Sequence, residues 1–350
     1  MDSAQTLYGL SLSDLERLAD AYGLPRFAAR QMSRWLYRRH AGSIDAMTDL
    51  PAAARARLSE SCTLGLSAPL RVSESVDGTK KYLFGTSRGA FIESAYIPDR
   101  DRATLCVSSQ AGCRMGCRFC ATGRQGLLHS LTTAEILNQI VSLPERDRLT
   151  NLVFMGMGEP LDNTDAVLKA LEILTSDWGF GWSPTRITLS TAGIAGELRR
   201  FLDSSRVHLA VSLHNPFHSE RAEIMPVERA YPIRGVVDIL REYDFTHQRR
   251  VSFEYIVMSG LNDSPRHVRE LCRLLNGIRC RINLIRFHKI PGSPYFSPGD
   301  EAMAAFRDAL NAKGLTTTIR ASRGEDIQAA CGLLSTARQT AGTNDKTLQE

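Results

Sequence analysis

Eight residues constrain this chain more than any others: Cys113 to Cys120, CRMGCRFC, with three cysteines at the spacing C-x3-C-x2-C. Thiolates are soft ligands suited to iron–sulfur clusters and zinc. A 4Fe–4S cluster has four irons, and each takes a ligand; three local thiolates leave one iron open. An open iron can bind a substrate or a second cofactor, which a purely structural site does not need. The alternatives are a structural zinc knuckle and unrelated core cysteines. A structural zinc site usually asks for a fourth Cys or His at short spacing. The nearest downstream histidine is His129, and no second cysteine pair follows. Cys113, Cys117 and Cys120 therefore read as cluster ligands.

The rest of the composition sets outer bounds. A length of 350 residues suits one barrel with a small appendage, and an apolar fraction of 43% is ample for a core. No apolar run approaches the ~20 residues that span a bilayer. The opening MDSAQTLYGL has neither the basic nor the apolar region of a signal peptide. Eight cysteines in a chain of this size do not suggest a secreted disulfide scaffold. A cluster belongs in a reducing compartment, so a cytoplasmic monomer is expected. The formal charge of +5 permits a polyanionic partner without demanding one.

Residues 1–65 read as a helical N-terminal domain. Ser13 with Glu16 forms an S-x-x-E capping box, and Gly23 stops that helix. A second helix over 26–40 carries Arg30, Arg34 and Arg38 on one face, either a solvated row or an RNA phosphate contact. Trp35 and Leu36 point the other way, and a third short helix follows Pro51. Residues 66–103 read as a β extension, with an Asp77-Gly78 hairpin turn and a strand, AFIESAYI, that carries Glu93.

From 104 to 335 the rhythm becomes strand, loop, helix. Strands read at 104–108, 151–155, 186–190, 207–213, 251–257 and 281–285. Helices read at 132–143, 163–175, 194–203, 232–243, 264–276 and 300–313, the first opened by a Thr132–Glu135 capping box. Short, apolar, β-branched strands in this alternation predict an α/β fold, a partial (β/α)6 barrel. The polar motifs all fall at carboxyl ends of strands, where barrel enzymes put their chemistry. They are the cysteine loop, GMGEP at 156–160, Ser190 to Gly193, Ser212-Leu213-His214 and His288. The tail, 336–350, reads as disordered.

Gly158 and Glu159 stand at a strand-to-loop junction; the glycine admits a close ligand and the acid can hold an ammonium group. Ser190, Ser212, His214 and His288 could together hold a ribose and an adenine at one barrel mouth. Cys106, inside the first barrel strand, and Cys331, in SRGEDIQAACG, are the unusual pair. Cys62, Cys272 and Cys280 read as ordinary core cysteines.

The spacing and the aromatic Phe119 before the third cysteine resemble the radical S-adenosylmethionine (SAM) superfamily. More narrowly, DRATLCVSSQAGCRMGCRFCATG, MGMGEPLDN, ITLSTAG, AVSLHNP with IMPVERAYPI, INLI followed by PGSPY, and RGEDIQAACG resemble the RlmN family. The resemblance runs from about residue 10 to about 335. It implies a radical SAM enzyme that methylates C2 of adenosine in the peptidyl-transferase centre of 23S rRNA. It also implies methylation of the adenosine next to the anticodon in tRNA. The implied cofactors are one 4Fe–4S cluster and two SAM molecules per turnover, with an electron donor such as flavodoxin. Gly158, Glu159, Ser190, Ser212, Leu213, His214 and His288 resemble SAM contacts, although position 288 is often Asn in the family. Cys331 resembles the cysteine that is methylated, Cys106 its partner in a transient disulfide, and Glu93 the proton acceptor. The related Cfr enzymes, which methylate C8, share the cluster and the cysteine pair and are the nearest alternative. A non-catalytic RNA-binding factor and a peptide-modifying radical SAM enzyme are more distant ones.

Overall fold

The computed structural model describes residues 4–245 and 250–336. The expected disordered tail falls outside them, apart from Thr336. The N-terminal unit opens on β1 (Gln5–Thr6), followed by α1 (Leu12–Ala21), α2 (Phe27–Tyr37) and α3 (Ala52–Ser61); β2 (Cys62–Thr63) then pairs with β1 in parallel. The capping box of α1 differs from expectation. Ser11, not Ser13, is the N-cap, and Asp14, not Glu16, closes the box. Two S-x-x-acid frames overlap here. The helix takes the frame that makes Leu12 its first residue and buries Leu15, Leu18 and Ala19. On α2, Leu36 is buried and Trp35 half-buried, while Arg30, Arg34 and Arg38 are exposed.

The next strands run antiparallel: β3 (Arg71–Glu74), β4 (Lys80–Gly85), β5 (Phe91–Asp99) and β6 (Arg102–Cys106). After β6 comes a small hairpin of β7 (Gln110–Gly112) and β8 (Leu127–Ser130), interrupted by the one-turn helix α4 (Ala121–Gln125). The repeat then proceeds through α5 (Thr133–Val141), β9 (Asn151–Phe154), α6 (Thr164–Thr175), β10 (Ile187–Thr191), α7 (Ala195–Ser204) and β11 (His208–Ser212). It closes with α8 (His218–Ile224), α9 (Ile233–Arg241), β12 (Val251–Val257), α10 (Pro265–Leu274), β13 (Cys280–Arg286), α11 (Asp300–Asn311) and β14 (Thr317–Ile319).

All these strands but β1, β2, β7 and β8 join one ten-stranded sheet in the order β14-β13-β12-β11-β10-β9-β6-β5-β4-β3. Strands β6 and β9 to β14 are parallel, so six βα units carry a seventh strand. β14 and β3 end the sheet at opposite edges, which makes the barrel partial. The β extension is thus continuous with the barrel sheet through β5 and β6. Strand β12 is buried along all seven residues, as expected for a strand covered on both faces. Burial of Cys62 follows expectation, whereas Cys272 and Cys280 are half-buried against the core.

Candidate active site

The cysteine loop is shaped by glycine. Gly112 has φ +81°, and a Cβ there would stand 1.8 Å from the Gly126 carbonyl oxygen. That same oxygen accepts the Cys113 N–H at 3.0 Å. Under the loop, a Cβ on Gly123 would stand 2.9 Å from the Cys117 nitrogen. The close packing buries Cys113 and half-buries Cys117 and Cys120. Burial pushes the Cys113 thiol up to about 12, and it raises Cys117 well above the usual thiol range, with Cys120 and Cys113 adding to the rise. The wholly buried Arg221 guanidinium acts the other way on Cys117.

Among the described residues, no three His, Cys, Asp or Glu side chains converge tightly enough to hold a metal ion. A cluster asks for less convergence, because each thiolate binds its own iron. Three neighbouring thiols on a compact loop, with no fourth protein ligand, fit that demand.

The adjoining loop carries the second set. Gly158 has φ +100°, and a Cβ there would stand 2.6 Å from Gln110. Glu159 donates its N–H to Gln110 Oε1 at 2.9 Å. Its carboxylate accepts from Thr191 Oγ1 at 2.6 Å, the Ala192 N–H at 2.8 Å and the Leu161 N–H at 3.0 Å. Burial still wins and pushes this carboxyl up to about 7. Ser190 and Ser212 stand half-buried towards the ends of β10 and β11. Leu213 and His214 follow, both buried. His214 has φ +56°, and its Nδ1 accepts the Ile256 N–H at 3.0 Å, which leaves the proton on Nε2. Burial pushes this imidazole down to about 3, so it is neutral, and its ring meets that of Phe119 edge-on at 4.8 Å. Arg221 ties these strand ends together. It donates to the carbonyls of Leu213 at 2.8 Å, Ser212 at 2.7 Å and Ala192 at 3.3 Å, and pairs with buried Glu228.

The third set surrounds a cavity of about 310 Å³, lined among others by Cys106, Cys120, Met155, His288, Arg320 and Cys331. Cys120 brings the cluster loop to its wall, and Gly156 brings the GMGE loop. Both Cys106 and Cys331 are free thiols. Cys106 is buried, and burial followed by the charge of Cys331 pushes it up to about 12. His288 Nε2 lies 3.2 Å from Ser322 Oγ, and its Nδ1 3.4 Å from Glu325. Gly158, Glu159, Ser190 and Ser212 do not line this cavity.

Glu93 lies beside the cavity rather than in its wall. It shares a face of β5 with Ile97 and Asp99, which do line it. Its carboxylate pairs with Lys81 Nζ at 3.0 Å and accepts the Ser335 N–H at 3.0 Å, and burial raises its carboxyl. The segment around Cys331 is laced to the β extension. Asp77 accepts the Gly324 N–H at 3.0 Å, Asp326 accepts Ser75 Oγ at 2.6 Å, and Arg323 reaches Asp99 at 3.2 Å. On its other side Ala121 donates to the Gly332 carbonyl at 2.8 Å and Thr122 to that of Leu334 at 2.6 Å.

Sequence reasoning missed Arg221 and Arg320, and gave Thr191 no role beyond its place in the Ser190 to Gly193 motif. Arg320 follows β14, a three-residue strand too short to show a period. Arg221 stands in SERAEI, on the helix α8, which lies between the expected strand at 207–213 and the expected helix at 232–243 and is not itself among the expected helices.

A family model described as the radical SAM superfamily matches residues 107–275, and one described as the ribosomal RNA large subunit methyltransferase N-terminal domain matches residues 5–64. The chain is 58% identical to a probable dual-specificity RNA methyltransferase RlmN of Bacteroides fragilis, over 95% of this chain and 97% of that one. The chain belongs to the RlmN family. An RlmN of Syntrophus aciditrophicus is 45% identical over 93% of this chain and 95% of that one. The crystal structure of a radical SAM methyltransferase from Sphaerobacter thermophilus superposes with a TM-score of 0.88 at 42% identity, covering 94% of this chain and 99% of that one. The protein is accordingly a radical SAM methyltransferase, and membership implies SAM and a 4Fe–4S cluster. Among the described residues no helix is long and apolar enough to cross a membrane.

Proposed function

We propose that this methyltransferase adds a methyl group to C2 of adenosine in 23S rRNA and in tRNA, through a methylated Cys331, using two SAM molecules per turnover. One observation carries the reading: Cys106 and Cys331, separated by most of the barrel in sequence, line one cavity together with Cys120. The relatives named dual-specificity RNA methyltransferases supply the substrate class. Cys113, Cys117 and Cys120 would hold the cluster. Glu159 would meet the SAM ammonium, which would turn a buried carboxyl into a buried ion pair. Gly158 leaves the backbone room that a cofactor needs. Ser190, Ser212, Leu213, His214 and His288 would line the nucleoside part. When bound, the cluster and SAM supply the methyl group and the one-electron chemistry that an unactivated carbon requires.

The protein's own groups do the rest. Cys331, exposed at the cavity, carries the transferred carbon as a thioether and becomes linked to the adenine through it. Glu93 takes the C2 proton once Lys81 and the Ser335 N–H release its oxygens. The Cys106 thiolate then attacks the Cys331 sulfur, and a Cys106–Cys331 disulfide forms as the methylated base leaves. An external thiol or a flavodoxin-type donor resets the pair and the cluster. The reducing cytoplasm suits this cycle.

The deciding experiment incubates reconstituted protein with SAM, reductant and an rRNA fragment or tRNA, then digests the RNA to nucleosides. Co-elution with 2-methyladenosine is expected. Co-elution with 8-methyladenosine would move the enzyme to the Cfr type, and cleavage of SAM without any methylated nucleoside would remove the RNA reading. The exposed α2 face supports an accessory RNA contact. Arg38 is tied to the Asp177 carbonyl at 2.9 Å, whereas Arg30 and Arg34 have no ion-pair partner among the described residues. Replacing both with alanine should lower the salt slope of RNA binding by roughly two, one per phosphate contact. An unchanged slope assigns them to a solvated surface.

A further inference from the structure

Cys106 has a chemical problem that the assigned residues do not solve. A thiol reacts as its thiolate, yet this one is buried in the cavity wall, where burial opposes ionisation. A cation held near the sulfur relieves that penalty. The cavity wall contains Arg320, whose guanidinium acts on both Cys106 and Cys331.

Its position is fixed from two sides. The Arg320 N–H continues the sheet by donating to the Leu284 carbonyl at 2.8 Å. Its Nη1 touches the Met155 sulfur at 3.5 Å, and Met155 packs against the small buried cluster that contains Cys106. Glu254 Oε2 stands 3.3 Å from the same Nη1. A guanidinium offers five N–H donors, and among the described residues only those of Nη1 are taken. Glu254, for its part, is held by Asn283 at 2.7 Å and Ser252 at 3.0 Å on its other oxygen. The ion pair thus holds the guanidinium at the cavity wall while leaving Nε and Nη2 without a partner among the described residues.

We propose that Arg320 is a further functional residue of this site: it stabilises the Cys106 thiolate that attacks the Cys331 sulfur and closes the disulfide. The assignment rests on the resolving role given to Cys106 above. In this step the Cys106 proton passes to water through the open cavity. A bond forms between the Cys106 and Cys331 sulfurs, the bond from the Cys331 sulfur to its substituent breaks, and the electron pair leaves with that substituent.

The step can be followed without RNA or SAM. Cluster-loaded protein is treated anaerobically with one equivalent of Ellman's reagent, an aromatic disulfide. The exposed Cys331 thiolate takes one thionitrobenzoate and releases the other. Attack by Cys106 then expels the second, and peptide mapping identifies the Cys106–Cys331 disulfide. In Arg320→Met both releases should slow, since the guanidinium acts on both sulfurs, and the second should slow roughly tenfold at pH 7.5, the equivalent of one unit of thiol pKa. Arg320→Lys should recover most of the rate. Glu254→Gln separates this role from a merely structural one: loss of a structural pair would slow closure as Arg320→Met does, whereas an un-neutralised guanidinium should hold or raise the rate. A second phase of wild-type rate in Arg320→Met, or equal slowing in Glu254→Gln, overturns the Arg320 assignment and leaves the cysteine pair intact. If the wild-type protein loads Cys331 and never closes the disulfide, the pair itself fails and Arg320 loses its role with it.

Discussion

The cluster-side loops and the Cys331 segment meet at one cavity but are held by different physics. The cysteine and GMGE loops are set by backbone: four glycine positions, 112, 123, 156 and 158, are approached so closely that a Cβ would stand within 3 Å of a neighbour. The Cys331 segment has no helix or strand from Ala321 to Thr336. Side-chain carboxylates hold it to the β extension: Asp77 and Glu93 from the extension, and Asp326 from the segment itself. A cofactor platform gains from the first construction, since a misplaced ligand costs binding. The proposed role of the Cys331 sulfur, to serve several partners, gains from the second, because separate side-chain ties can be released one at a time.

The largest expected effect separates the two regions outright. Cys106→Ala should bind SAM and cleave it, yet stop after one RNA attack, because nothing remains to break the link at Cys331. A covalent protein–RNA band, stable in denaturant and removed by nuclease, should accumulate. Cys331→Ala should give neither adduct nor product while keeping the change that SAM makes in the reduced cluster's electron-spin signal. Normal turnover by Cys106→Ala would return that residue to the core and dissolve the comparison.

Gly158→Ala tests the backbone-built side. At φ +100° the new side chain carries roughly 1–3 kcal/mol of strain, and Gln110 must move from 2.6 Å. SAM affinity should fall at least about tenfold by titration calorimetry, with the Ellman's first phase at Cys331 unchanged. If the first phase also collapses, the two regions are one mechanical unit.

Glu159 gives the same side a pH signature. Its folded carboxyl sits at about 7 against an ordinary 4.5. Below 4.5 both folded and unfolded chains are protonated, so the group costs nothing. As pH rises from 4.5 to 7 the unfolded chain ionises and the folded one resists, so stability falls, by about 3 kcal/mol at the plateau. Denaturant melts of SAM-free protein should show this decline, and Glu159→Gln should lack it. A wild-type curve parallel to that of Glu159→Gln across this range would mean the carboxylate already has a cationic partner.

How much of this was legible beforehand follows the same division. The cysteine spacing, the GMGE junction and the six strand–helix alternations are local in sequence, and each expected barrel strand lies within two residues of its observed bounds. Contacts between distant segments were not legible. Nothing in TTTIRASRGED announces that Arg320 lines the same cavity as Cys106, or that Asp326 reaches back to Ser75. Such pairs depend on where the sheet's antiparallel arm folds, and no short-range periodicity records that. The Ser11 cap shows a smaller limit: two overlapping frames fit the same rule, and burial of Leu15 and Leu18 decided between them.

The smallest effect probes the ties themselves. Asp326→Asn keeps the shape and removes the charge that accepts Ser75 Oγ at 2.6 Å and the Val76 N–H at 3.3 Å. Asp326 is exposed and the core lies elsewhere, so the loss should not unfold the domain. It should act locally: amide exchange between residues 324 and 334 should speed up, while the cysteine loop keeps its protection. Loading of Cys331 by Ellman's reagent should rise slightly, because a looser segment exposes its sulfur more often. Closure onto Cys106 should slow slightly, because the same looseness lowers the fraction of time the two sulfurs face each other. If exchange instead rises equally across the cysteine loop, the Ala121–Gly332 and Thr122–Leu334 contacts bind the regions more tightly than the hairpin carboxylates do. The Cys331 segment would then belong mechanically to the cluster loop.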